Sequence, residues 1–163
     1  MVGSQIIKPI GYPMTTTFIF VRHGASDKVK SHLGKTVDHG LTPEGVGQAQ
    51  SAGQWIQSLG ITPDLIVHTT TPRTIETAQI IAELYDDAIP TMKSKSGFRT
   101  LDGLYKKLEQ WTLNNPARVV LFCGHHTSQQ VLKRAFRLGL SKEERAVVVI
   151  GLPNGDSRSI GLK

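Results

Sequence analysis

Two arginines and three histidines stand where apolar segments of this chain end. TFIFV (17–21) runs into Arg22-His23-Gly24, DLIVHT (64–69) leads through TTTP to Arg73, and ARVVLFCG (117–124) runs into His125 and His126. A guanidinium presents a planar fork of N–H donors that matches the oxygens of an oxyanion, and an imidazole gains or loses a proton near neutral pH. Together these groups suit a phosphate. Each cluster also has a plainer reading. Arg-His-Gly is a three-residue match that a polar loop with a surface salt bridge satisfies as well. Arg73 falls in the first turn of a predicted helix, where a cation opposes the helix dipole unless an anion lies beside it. His125 and His126 can be ordinary first residues of a helix. If the three strands are parallel, however, all three clusters share one rim, and that convergence outweighs any single triplet.

The elements that would position them follow from periodicity. TFIFV is β-branched and aromatic, as expected of a strand buried on both faces. After a polar, glycine-bearing stretch, LTPEGVGQAQSAGQWIQSLG (41–60) carries Thr42 as helix N-cap, Pro43 at the first helical position and Glu44 in the first turn. Val46, Ala49, Gly53, Ile56 and Leu59 fall along one face, and Gly60 closes the helix. A second strand at 64–69 precedes a helix at 72–85, then come a weak segment at 88–92 and a helix over 99–111. The strand at 117–124 leads into a helix over 127–140, and AVVVIGL with SRSIGL forms a closing hairpin around PNGD. Alternating strands and helices predict an α/β three-layer sandwich, with a mostly parallel central sheet and helices on both faces. Ligands bind such sheets beyond the carboxyl ends of the strands.

The 163 residues suit a single domain over 16–163, preceded by a flexible arm at 1–15 that has two prolines and no periodicity. Nineteen Lys and Arg against thirteen Asp and Glu give a formal charge of +6, which favours anionic ligands. Lys93, Lys95, Arg99, Lys106, Lys107, Lys133, Arg134 and Arg137 read as solvated surface; without interleaved stacking aromatics they do not point to nucleic acid. The lone Cys123 cannot form an intramolecular disulfide and has no paired Cys/His spacing for zinc, so Cys123, Trp55 and Trp111 are assigned to packing. No secretory leader pattern and no run of eighteen apolar residues is present, which predicts a cytoplasmic protein without membrane partners.

Four stretches, in order, resemble the histidine phosphatase superfamily, also called phosphoglycerate-mutase-like, and in particular its short phosphohistidine-phosphatase branch. FIFVRHGAS resembles the family signature, LTPEGVGQA the helix after it, TTTPRTIETAQIIAE the second arginine motif and VLFCGHHTSQQVL the second histidine motif. The resemblance implies that His23 attacks phosphorus to form a phosphohistidine that water then hydrolyses, with Arg22 and Arg73 on the phosphoryl oxygens and His125 donating to the same group. Gly24 would let the backbone pass closely beneath the ligand, and His126 joins the substrate-binding set. No metal and no cofactor is implied.

Two departures bear on the substrate. Where many relatives carry a catalytic glutamate, this chain reads KSGFRTLDGLYKK, leaving Asp102 or, nearer His23, Asp27 as candidate general acids. Val29 stands where mutases often have asparagine, which argues against a phosphoglycerate mutase. His39 falls where the short branch carries an extra arginine. Phosphohistidine expels imidazole more readily than an ester expels alkoxide, so a missing acid fits a phosphohistidine protein as substrate. A small phosphate monoester is the alternative within the class, and a non-catalytic phosphate-binding module the alternative outside it.

Overall fold

A computed structural model describes residues 16–30, 36–141 and 143–162; the predicted arm at 1–15 lies outside the described residues. The strands are β1 (Thr16–Arg22), β2 (Ser26–Lys30), β3 (Thr36–Leu41), β4 (Leu65–His68), β5 (Thr91–Lys93), β6 (Val119–Gly124), β7 (Arg145–Leu152) and β8 (Asp156–Leu162). The helices are α1 (Pro43–Ser58), α2 (Pro72–Glu83), α3 (Leu101–Thr112) and α4 (His126–Ala135). Six strands form the main sheet in the order β5-β4-β6-β1-β7-β8. β5, β4, β6 and β1 run parallel, β7 runs against β1, and β8 pairs antiparallel with β7.

The unbroken apolar run of β1 is explained by its position inside the sheet. Phe18, Ile19, Phe20 and Val21 are all fully buried, and alternate residues feed two separate cores. Phe18 and Phe20 pack with Leu104, Leu108 and Trp111 of α3 and Leu132 of α4. Ile19 and Val21 pack with Ala52 and Ile56 of α1 and Ala78 and Ile81 of α2. Each such side chain contributes about 1.5–3 kcal/mol when removed from water, so four consecutive apolar residues, Phe18 to Val21, hold both helical layers. Trp111 stacks on Phe122 with ring centroids 4.9 Å apart, so Trp111 belongs to the core as expected. Cys123 is buried with a free thiol, and burial pushes its ionisation well above the usual thiol range.

Helix starts follow the local chemistry. Thr42 caps α1 by accepting from Gly45 N at 3.1 Å, with Pro43 just inside the helix, as the sequence predicts. Thr71 and Thr100 do the same for α2 and α3. The weak segment near residue 90 is the edge strand β5.

Two expectations change. The stretch after β1 contains a two-stranded antiparallel sheet, β2-β3, separate from the main one. These strands are short and interrupt their few apolar residues with charged ones, so no period-two run stands out. A register shift lies between Ser26 and Lys28, opposite Gly40, whose φ of 90° suits glycine in a bulge. The last helix ends at Ala135 instead of continuing to residue 140. The chain then turns through Arg137, at φ 54°, and sends Phe136 and Leu138 onto the core beside α3 and α4. No glycine or proline marks that stop in the sequence, because tertiary packing sets it.

Candidate active site

Parallel pairing places the ends of β1, β4 and β6 at one rim, where the elements predicted separately converge. A cavity of about 510 Å³ there is lined by Arg22, His23, Arg73, His125, His126 and Asp27, together with Ser26, Thr127 and Arg145. Eight of those nine side chains are arginine, histidine, serine, threonine or aspartate of the predicted clusters or their immediate neighbours. The ninth, Arg145, comes from an element to which the sequence reading attached no chemistry.

His23 is the buried centre, 7% exposed. Its Nδ1 lies 2.7 Å from the carbonyl oxygen of Gly24, which can only accept, so Nδ1 carries the proton and Nε2 keeps its lone pair. Arg73 Nε donates to that lone pair at 3.2 Å. Burial is the largest influence on the imidazole and disfavours its charged form. The Gly24 hydrogen bond opposes this, while Arg145, Arg73 and His125 reinforce it, and the result is a pKa lowered to about 3. His23 is therefore neutral at pH 7 with Nε2 turned into a pocket of cations. That is the state a nitrogen nucleophile requires.

The arginines enter from three directions. Arg22 ends β1, and its Nε and Nη1 are buried with no hydrogen-bond partner among the described residues. Burial, then Arg145, pulls its guanidinium below the usual range, against the opposing pull of Glu143. Arg145 begins β7, and its Nη1 donates to the carbonyl of His23 at 2.8 Å. Burial lowers its ionisation too; Glu44 opposes this and Arg73 adds to it. Buried donors left without acceptors cost about 1–3 kcal/mol. Three guanidinium groups thus converge on one cavity, where they concentrate positive charge.

His125, the N-cap of α4, has its ring centroid 5.3 Å from that of His23. Its Nε2 lies 2.8 Å from Thr69 Oγ1, which in turn lies 2.8 Å from Thr74 Oγ1. Thr74 Oγ1 also lies 3.1 Å from the Thr69 carbonyl oxygen and donates there or to its neighbours. A chain of hydroxyls from the end of β4 and the first turn of α2 thus orients the second histidine.

The turn carrying His23 is held by α1 with its N-cap and by Thr77 of α2. Ala25 N donates to Gln48 Oε1 at 2.8 Å, Thr42 N donates to Ala25 O at 3.0 Å, and Gly24 N donates to Thr77 Oγ1 at 3.2 Å. A Cβ on Gly24 would overlap the carbonyl of Gly45, and a Cβ on Gly45 would overlap that of Ala25. Gly24 is thus explained by backbone contact with α1; it does not line the cavity.

The remaining predicted residues divide. His126 lines the cavity and sits 3.2 Å from Gln130 Nε2 through its own Nε2. Asp27 lines the cavity near the bulge of β2. Asp102 does not: it stands in the first turn of α3, with its side chain 74% exposed and 3.1 Å from Lys106 Nζ. His39 belongs to β3, but its side chain lies outside the described residues. Arg145 was missed. Its signal was a lone arginine ahead of AVVVIGL; because β7 runs antiparallel to β1, its first residue returns to the rim. Among the described residues no cluster of three or more His, Cys, Asp or Glu has the arrangement of a metal site, and no helix is long and apolar enough to cross a membrane.

A family model described as the histidine phosphatase superfamily (branch 1) matches residues 18–138. No curated protein sequence matches the chain. Among solved structures, a SixA-type protein from Agrobacterium tumefaciens named for phosphohistidine phosphatase superposes with a TM-score of 0.61 at 18% identity, over 91% of this chain and 97% of its own. The protein histidine phosphatase SixA complexed with tungstate gives 0.59 at 16% identity, over 91% and 97%. Phosphoglycerate mutase from Plasmodium falciparum gives 0.55 at 20% identity, over 91% and 90%.

Proposed function

The chain belongs to the histidine phosphatase superfamily (branch 1), and from that premise we propose that it is a metal-independent phosphatase that works through a phosphohistidine on His23. The observation that carries this reading is the buried, neutral His23, with Nδ1 tied to the Gly24 carbonyl and Nε2 facing the arginines. In the first step Nε2 attacks phosphorus, the phosphorus–oxygen or phosphorus–nitrogen bond to the leaving group breaks, and the leaving group takes up a proton. Arg22 and Arg73 hold the phosphoryl oxygens, Arg73 exchanging its contact with Nε2 for one with the substrate, and His125 donates to the same group. In the second step water attacks phosphorus, the bond to Nε2 breaks, and orthophosphate leaves with the oxygen of that water.

The substrate favoured is a phosphohistidine protein. Its leaving imidazole needs little help from an acid, and Asp102, one of two candidate acids, is engaged with Lys106 at the surface. One observation supports a second reading, a phosphomonoesterase: Asp27 lines the cavity, and its carboxyl would supply the proton that an alkoxide leaving group needs. Asp27→Asn separates the two, because it should slow ester hydrolysis sharply and leave phosphohistidine cleavage largely intact.

The deciding experiment is rapid quench with a ³²P-labelled phosphoramidate and an aryl phosphate in excess chelator. An acid-labile, base-stable phosphoenzyme should form on His23 and be absent in His23→Ala. Label on another residue, or turnover persisting in His23→Ala, refutes the mechanism. Phosphate binding without any phosphoenzyme in the wild type identifies a binding module instead.

A further inference from the structure

Sequence patterning puts Lys95 and Arg99 on a solvated surface; both are exposed in the structure, and both line the open wall of a second cavity of about 410 Å³. This cavity shares His125 and Thr127 with the phosphate pocket, so it lies on the far side of the second histidine. Its other polar wall is the Thr69-Thr70-Thr71 run that leads into α2. Among the described residues no carboxylate lines it. Among the described residues neither Lys95 nor Arg99 forms a salt bridge. Arg99 and Thr127 continue into a smaller cavity of about 230 Å³ that adds Arg134.

The loop bearing the two cations is built into the fold. Phe98, between them, is 3% exposed, with its ring centroid 5.9 Å from Phe18 and 6.0 Å from Phe122. Ser128 Oγ accepts from Phe98 N at 3.3 Å and donates to Phe98 O at 3.0 Å. Ser94 N donates to the His68 carbonyl at 2.8 Å, tying the start of the loop to β4. Gly97 has no room for a side chain: a Cβ there would stand 2.7 Å from Ser128 Oγ and 3.1 Å from the Phe122 ring. Two exposed cations on the wall of a concave site, without a salt bridge among the described residues, create a positive potential that attracts a negative group.

We propose that this cavity receives the leaving-group half of the substrate, and that this half carries an anionic group of its own, a carboxylate or second phosphate, held by Lys95 and Arg99. The proposal rests on the phosphatase reading of the adjoining pocket, because that reading decides which half of the substrate passes His125. The charge has two possible sources with the same chemistry: the phosphorylated small molecule itself, or an acidic side chain beside a phosphohistidine.

The test compares kcat/KM within two matched pairs: phenyl phosphate against 3-carboxyphenyl phosphate, and a phosphohistidine peptide with alanine flanks against one with glutamate flanks. The anionic member should be preferred by about tenfold in at least one pair. That ratio should fall roughly fivefold in Lys95→Gln or Arg99→Gln, approach one in the double variant, and shrink with added salt. Arg99→Lys should restore part of it, and circular dichroism checks that these variants fold. A preference confined to the esters assigns the charge to a small substrate; one confined to the peptides assigns it to an acidic protein segment. Equal kcat/KM within both pairs, or a ratio that the double variant leaves untouched, overturns the proposal while the phosphatase reading stands. If none of the four compounds yields a phosphoenzyme on His23, the phosphatase reading fails and takes this proposal with it.

Discussion

Acidification should cost this protein stability in a way that one residue controls. The folded state holds His23 neutral, with its pKa lowered to about 3, whereas an unfolded chain titrates it at the ordinary 6.5. Between those values the unfolded state binds a proton that the folded state refuses, so stability is complete above pH 6.5 and declines as pH falls toward 3. Each pH unit inside the window removes about 1.4 kcal/mol, or roughly 2.7 kcal/mol from pH 6.5 to 4.5. Against a typical domain stability of about 5–15 kcal/mol, that loss is large enough to measure. Urea unfolding of wild type and His23→Gln, at constant ionic strength in buffers without phosphate, should give stability curves that converge by about this amount over those two units. Bound orthophosphate should narrow the effect, since an anion beside the ring favours its charged form. Wild-type and variant curves that stay parallel from pH 6.5 to 4.5 would refute the assignment of a neutral buried imidazole.

Arg22→Met should lower kcat/KM by about 10²–10³ through a lost oxyanion donor, yet stabilise the ligand-free protein by roughly 1–3 kcal/mol by removing two buried nitrogens, Nε and Nη1, that have no hydrogen-bond partner among the described residues; calorimetry beside steady-state kinetics shows whether the two effects diverge. Gly24→Ala should destabilise by about 1–3 kcal/mol or more, because the new methyl meets the Gly45 carbonyl, and an unchanged melting temperature would contradict that packing. Arg145→Gln should raise the pKa of His23 by removing a nearby positive charge, which an NMR titration of the imidazole reads directly; a lower or unmoved value would count against the contact.

Much of this architecture is visible in the chain. The strand at 17–21 declares itself because residues 18–21 are all apolar, and the parallel strands at 65–68 and 119–124 declare themselves by similar apolar runs. Thr42-Pro43 marks the start of α1 because capping chemistry is local. The candidate site is legible as far as it hangs on parallel strand ends, since Arg22, His23, Arg73 and His125 all follow such strands or open the next helix. What stays hidden depends on contacts distant in sequence. The length of α4 is set by Phe136 and Leu138 joining a core built from elsewhere. Gly24 looks like a glycine for a ligand until Gly45 is seen against it. Lys95 and Arg99 look like ordinary surface charges because nothing in their own segment reveals the cavity that α4 completes.

Arg145 owes its position to strand phase more than to the loop before it. The ladder between β7 and β1 pairs Val147 with Val21 and Gly151 with Thr17, and successive residues of β7 alternate between the two cores. A slip of one residue along that ladder would carry the guanidinium through the plane of the sheet to the opposite side. The connection between α4 and β7 can therefore lengthen or shorten without displacing the third arginine, while a single insertion inside β7 would remove it. In evolutionary terms the residue is heritable as a register, and natural variation around this rim should concentrate in the connection at 141–144 and spare the spacing between Arg145 and Leu152.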